Sequence, residues 1–198
     1  MDSRKVIELT GTLLGWTTLG IQFYLMQNNS ETDLLETTIR FFSYFTIVSN
    51  LMVVLCFTSL YFNILSLFSS FKTLTAVVVY ISIVALVYNT VLRYLWKPKG
   101  IQQVVDELLH VIIPIVFLYY WFKNKNTEKL HYKFTLHILI IPLVYLIYVL
   151  IRGNYSNFYP YPFIDVSAIG LTQALTNAVL VMIAFITVAL LFIRSSRS

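Results

Sequence analysis

"RFFSYFTIVSNLMVVLCFTSLYF", residues 40–62, opens on a cation and aromatic rings. It places hydroxyls at Ser43, Thr46 and Ser49 and an amide at Asn50, then continues as mostly hydrocarbon. An apolar run of about 20 residues is the length of a helix that crosses a bilayer core. This run, about 38–62, has five companions: about 6–26, 74–96, 104–122, 134–152 and 167–193. Composition points the same way. Of 198 residues 58% are hydrophobic and 12% charged, whereas a soluble domain carries roughly twice that share of charge. Mean hydropathy is +0.76. Backbone amides in hydrocarbon must be bonded within their own segment. The expected fold is therefore all-α, a single polytopic domain over residues 1–198 built from six transmembrane helices. The first run holds Glu8, Thr10, Thr12 and Gln22 with no small-residue cleavage pattern after it, so it reads as a span and not as a signal peptide.

Loop charges choose an orientation. With the N-terminus in the cytoplasm, the inner side holds Arg4, Lys5, Lys72, Lys123, Lys125, Lys129, Lys133, Arg194 and Arg197; the outer side holds Arg40, Arg93, Lys97, Lys99 and Arg152. Nine against five favours both termini inside. Inner cations facing anionic headgroups account for a pI near 9.3 without invoking nucleic acid. The lone Cys56 excludes a disulfide framework or a multi-cysteine metal site within one chain and reads as a small packing residue.

Depth sorts the polar residues. Counted from Arg40 at 1.5 Å per residue, Thr46 lies about 9 Å below the outer surface. Asn89 and Arg93 sit one turn apart where the third run ends. Asp106, His110 and Pro114 follow at four-residue spacing in "VVDELLHVIIP", and the fifth run ends at Arg152. On a continuous helix Ser43, Thr46 and Asn50 share one stripe. Polar groups from several spans at one depth imply a pocket opening to the outer side. Histidine can take and return a proton near neutrality, a neighbouring hydroxyl then becomes a usable nucleophile, and Asn50 or Asn89 could steady an oxyanion. Asp106 could orient the imidazole, and Arg40, Arg93 or Arg152 could pair with a substrate carboxylate. Each residue also has a plainer reading. Thr46 could satisfy itself on the carbonyl four residues back, His110 could be an interhelical hydrogen-bond partner, and the arginines could grip headgroups. A haem held by His110 and His137 is disfavoured, because the two lie near opposite faces and no attachment motif is present.

"FFSYFTIVSNL" in the second run, "DELLHVIIP" opening the fourth and "YPYPF" at 159–163 together resemble the androgen-induced and androgen-dependent TFPI-regulating protein family, in particular its compact bacterial branch. The similarity covers the whole chain in span number, order and loop length. It implies a six-span threonine hydrolase that cleaves lipid esters, such as fatty acid esters of hydroxy fatty acids. By matching motifs Thr46 corresponds to the nucleophile and His110 to its base. The resemblance implies no cofactor or metal. The expected partners are a lipid ester or fatty acid and membrane lipids, with the chain a monomer or small homo-oligomer in a bacterial inner membrane. A non-catalytic lipid or small-molecule carrier using the same pocket is the alternative.

Overall fold

The computed structural model describes residues 2–125 and 129–197, so residues 126–128 of the basic connection after the fourth run lie outside the described residues. All regular structure among the described residues is helical. Helix α1 spans Ser3–Asn28, α2 Leu34–Phe42 and α3 Phe45–Phe62. Four longer elements follow: α4 Phe71–Leu95, α5 Ile101–Lys123, α6 Phe134–Ser156 and α7 Val166–Ser196. The helices α3 to α7 are five that are long and apolar enough to cross a membrane, the character of an integral helical membrane protein. The 26-residue α1 matches the first run in position, but is not among those five.

At the centre α3 packs on α4; α1 covers α3 and α5, and α7 covers α4 and α6. The α1–α3 contact is made by a small-residue face. Gly11 and Gly15, four apart, lie against the side chains of Phe57 and Val54, which are 1% and 0% exposed. The absence of a Cβ at both positions is what lets two apolar helices approach so closely.

The second run differs from expectation. It is not one helix: α2 ends at Phe42, and Tyr44 is extended (φ −84°, ψ 123°) before α3 begins at Phe45. Ser43 and Thr46 therefore do not share a stripe. Ser43 Oγ donates to the Ile39 carbonyl and meets the Tyr148 hydroxyl at 2.9 Å, away from His110. Thr46 becomes the second residue of a new helix, where a backbone N–H has no partner within the helix and the terminus is electropositive.

Two helices lose backbone bonds of their own, and neighbouring side chains fill those gaps. In α6 Pro142 cannot donate to the carbonyl four residues back, Ile138, and the Tyr80 hydroxyl of α4 donates there instead at 2.8 Å. In α5 a π-helical turn over Leu108–Ile112 sends the Ile113 N–H to the Leu108 carbonyl, bypassing Leu109. The next residue, Pro114, has no N–H for His110. Asn50 Nδ2 donates to the Leu109 carbonyl at 3.1 Å and Asn89 Nδ2 to that of His110 at 3.4 Å. Helix α4 has its own π-helical turn at Tyr88–Leu92, at the level of His110.

At the opposite end of the bundle Glu8 is buried (1% exposed) and ion-paired. Its Oε1 accepts from Tyr120 at 2.7 Å and Arg4 at 3.0 Å, and its Oε2 pairs with Lys5 at 2.8 Å. Lys5 also donates to the carbonyls of Leu60 and Tyr61 at the end of α3, where a cation complements the helix dipole. His137, near the start of α6, stacks on Phe134, far in the sequence from His110 and in no contact with it.

Candidate functional site

The start of α3, the π-helical turns of α4 and α5, and the connection between α6 and α7 meet at one end of the bundle. Thr46 Oγ1 stands 3.4 Å from His110 Nε2. The other ring nitrogen, Nδ1, lies 2.8 Å from the Asp106 carbonyl. A carbonyl can only accept, so Nδ1 carries the proton and Nε2 presents its lone pair to the threonine hydroxyl. The Tyr88 ring stacks on the imidazole with centroids 3.9 Å apart and planes 12° apart. The Arg93 guanidinium lies 5.1 Å from the centre of the Tyr88 ring. The π-helical turn, the two asparagines and this stack fix the imidazole's height and tilt, and the Asp106 carbonyl fixes its tautomer.

Tyr161 completes the cluster. Its hydroxyl accepts from the Thr46 N–H at 3.1 Å and lies 3.2 Å from Thr46 Oγ1. Burial pushes its pKa up to about 12, so at neutral pH it remains a neutral phenol able to donate. The residues around it hold it rigidly. Pro160 and Pro162 restrict the backbone on either side, the ring stacks on Phe163 at 5.2 Å, and the Tyr159 ring presses against Gly153, where a Cβ would overlap it. At the rim Glu36 accepts from Arg40 and Arg152, both at 2.7 Å, and both guanidiniums cover the Phe158 ring. Arg40, then Arg152, hold the Glu36 carboxyl below its ordinary range.

Thr46, His110 and Tyr161 border a cavity of about 770 Å³, inside the usual range for small-molecule sites. Asp106, Arg40, Trp96 and Gln22 are among its other polar lining residues. Thr46 and His110 are only 7% and 8% exposed, so the pair meets the cavity through a small, shielded face.

Several expected site residues have other duties. Both amide hydrogens of Asn50 are committed, to the carbonyls of Thr46 and Leu109, and those of Asn89 to Ala85 and His110. Neither is available to an oxyanion; they position the dyad. The Asp106 carboxylate accepts from Trp96 at 2.7 Å and Gln102 at 2.9 Å, so this residue orients the imidazole through its carbonyl and not its acid. Arg93 is engaged by Glu107 and Arg152 by Glu36, and neither lines the cavity. Ser43 and the fully buried Ser49 do not line it either. Tyr161 lies in the "YPYPF" motif but is not among the site residues expected from the sequence; the prolines flanking it are the available signal. Comparison with family models, curated proteins and solved structures gives no match for this chain.

Proposed function

We propose that this protein is an integral-membrane hydrolase that cleaves lipid esters by a threonine–histidine acyl-enzyme mechanism. The observation that carries the reading is the 3.4 Å approach of Thr46 Oγ1 to the unprotonated Nε2 of an imidazole whose other nitrogen is locked on a carbonyl. The resemblance of three sequence motifs to six-span threonine hydrolases supports it. In this proposal α1 is the sixth span, both termini are cytoplasmic, and the cavity opens toward the outer leaflet of a bacterial inner membrane.

His110 Nε2 takes the Thr46 hydroxyl proton as Oγ1 bonds to the ester carbonyl carbon. The carbonyl oxygen becomes an oxyanion, stabilised by the Tyr161 O–H, whose oxygen is itself held by the Thr46 N–H, and by the electropositive start of α3. Collapse breaks the bond to the alcohol oxygen, which receives the proton from His110. Water from the cavity then gives a proton to Nε2 and its oxygen to the acyl carbon. The acid leaves, and the proton returns to Thr46 Oγ1.

The decisive experiment treats purified protein with a fluorophosphonate probe and maps the adduct by mass spectrometry. The expected result is one adduct on Thr46, suppressed by prior incubation with a lipid ester. A protein that binds fatty acid in the cavity but forms no adduct is a carrier, and the proposal fails. Tyr161→Phe tests the oxyanion arrangement. It keeps the ring packing but loses the hydroxyl, and kcat falls about 100-fold with KM little changed, the size expected for removing one oxyanion donor. An unaltered kcat would remove Tyr161 from the mechanism.

A further inference from the structure

Thr46 and Tyr161 border two cavities at once. The second lies between α3, α4, α6 and α7. It measures about 80 Å³ and its walls are apolar, among them Phe45, Val84, Pro142, Ala178, Met182 and Phe185. His110 lines the large cavity and not this chamber. The difference divides the substrate, if the proposed hydrolysis is accepted as the starting point. His110 must return a proton to the departing alcohol oxygen, so the alcohol half lies on the imidazole's side, in the large cavity. The acyl half stays bonded to Thr46 Oγ1 and needs room that does not block His110 or the incoming water. The chamber on the far side of Thr46 offers that room, and its apolar walls suit a hydrocarbon chain.

We infer that this chamber is the acyl subsite and that its size restricts the transferred acyl group to a short chain, while the long half of the ester is the alcohol. About 80 Å³ against about 770 Å³ makes the partition lopsided. Two wall positions on α7 set the chamber's size: Ala178, small and buried, and Met182, whose flexible side chain can be removed without touching a polar partner.

The test measures kcat/KM for para-nitrophenyl esters from acetyl to palmitoyl with the full-length protein in detergent. Wild type should favour butanoyl over palmitoyl. Ala178→Phe should lower the butanoyl-to-acetyl ratio about tenfold or more, the usual discrimination from lost methylene space. Met182→Ala should move the optimum to longer chains. Retained probe labelling of Thr46 shows that each variant is folded; if Ala178→Phe loses it, Ala178→Val takes its place with a smaller shift in the same direction. An optimum unmoved by both α7 changes, with Thr46 still labelled, overturns the acyl assignment and leaves the hydrolase reading standing. An optimum moved instead by Met26→Ala, in the large cavity, reverses the assignment. Absence of labelling and of all ester cleavage in wild type overturns the hydrolase reading and this one with it.

Discussion

Thr46→Ala and His110→Gln each lower kcat/KM for ester cleavage by about a thousandfold or more, and the double variant is scarcely worse than either single one. General base catalysis by a positioned imidazole is worth about 10²- to 10⁴-fold. Removing the hydroxyl abolishes the covalent route that the imidazole serves, so the two losses describe one step and do not add. The geometry makes the dependence steep. Nε2 has its lone pair on Thr46 only because Nδ1 is held by the Asp106 carbonyl, and a glutamine cannot reproduce that ring. Thr46→Ser keeps the nucleophile and should retain probe labelling, whereas Thr46→Ala should not label at all. Fatty acid affinity, read by fluorescence displacement, should change little in both single variants, because neither side chain supplies much of the cavity wall. Additive losses in the double variant would show that the two residues act separately and would end the dyad.

Gly15→Leu is expected to be the most destabilising change outside the site, at about 3 kcal/mol, with Gly11→Leu close behind. A Cβ at either position overlaps a side chain of α3 that is itself fully packed: Val54 for Gly15 and Phe57 for Gly11. Neither neighbour is the free end of a flexible chain, so the helices must separate, and the small-residue contact that joins α1 to α3 is lost. Gly20, on the same helix, provides the control because a Cβ there meets nothing within 4 Å. Gly20→Leu should be neutral or stabilising, since glycine costs about 1 kcal/mol in a helix interior relative to a better helix former. Reversible unfolding in mixed micelles would measure all three. Equal stability of the Gly15 and Gly20 variants would refute the close α1–α3 packing.

The order of the long helices and, outside the second run, their rough extents were legible because apolar runs of bilayer length report directly on secondary structure. The neighbourhood of Thr46 and His110 was legible too, since depth counting from Arg40 and from the start of α5 puts both near one end. What escaped was everything that depends on a broken backbone pattern. Extended Tyr44 leaves no compositional mark in "FFSYFT", yet it turns Ser43 toward Tyr148 and leaves the Thr46 N–H to be taken by Tyr161. The π-helical turns at Tyr88–Leu92 and Leu108–Ile112 are equally silent in sequence, although Pro114 hints at the second. Asn50 and Asn89 looked like donors to a ligand because the carbonyls they serve become vacant only in three dimensions. Tyr161 was hidden for a simpler reason: the aromatic connection at 157–163 reads as an interfacial cap until its fold carries one hydroxyl onto the nucleophile.

These borrowed donors also bear on biogenesis. A freshly inserted α5 standing by itself in lipid would hold the Leu109 and His110 carbonyls bare, and a solitary α6 that of Ile138, each at a penalty of a few kcal/mol. Helices α3 and α4, synthesised earlier, carry the amides and the phenol that relieve them. Insertion in chain order therefore delivers each donor to the bilayer before the acceptor that requires it, and a permuted chain that emerged with α5 and α6 first would have to wait, strained, for its rescuers.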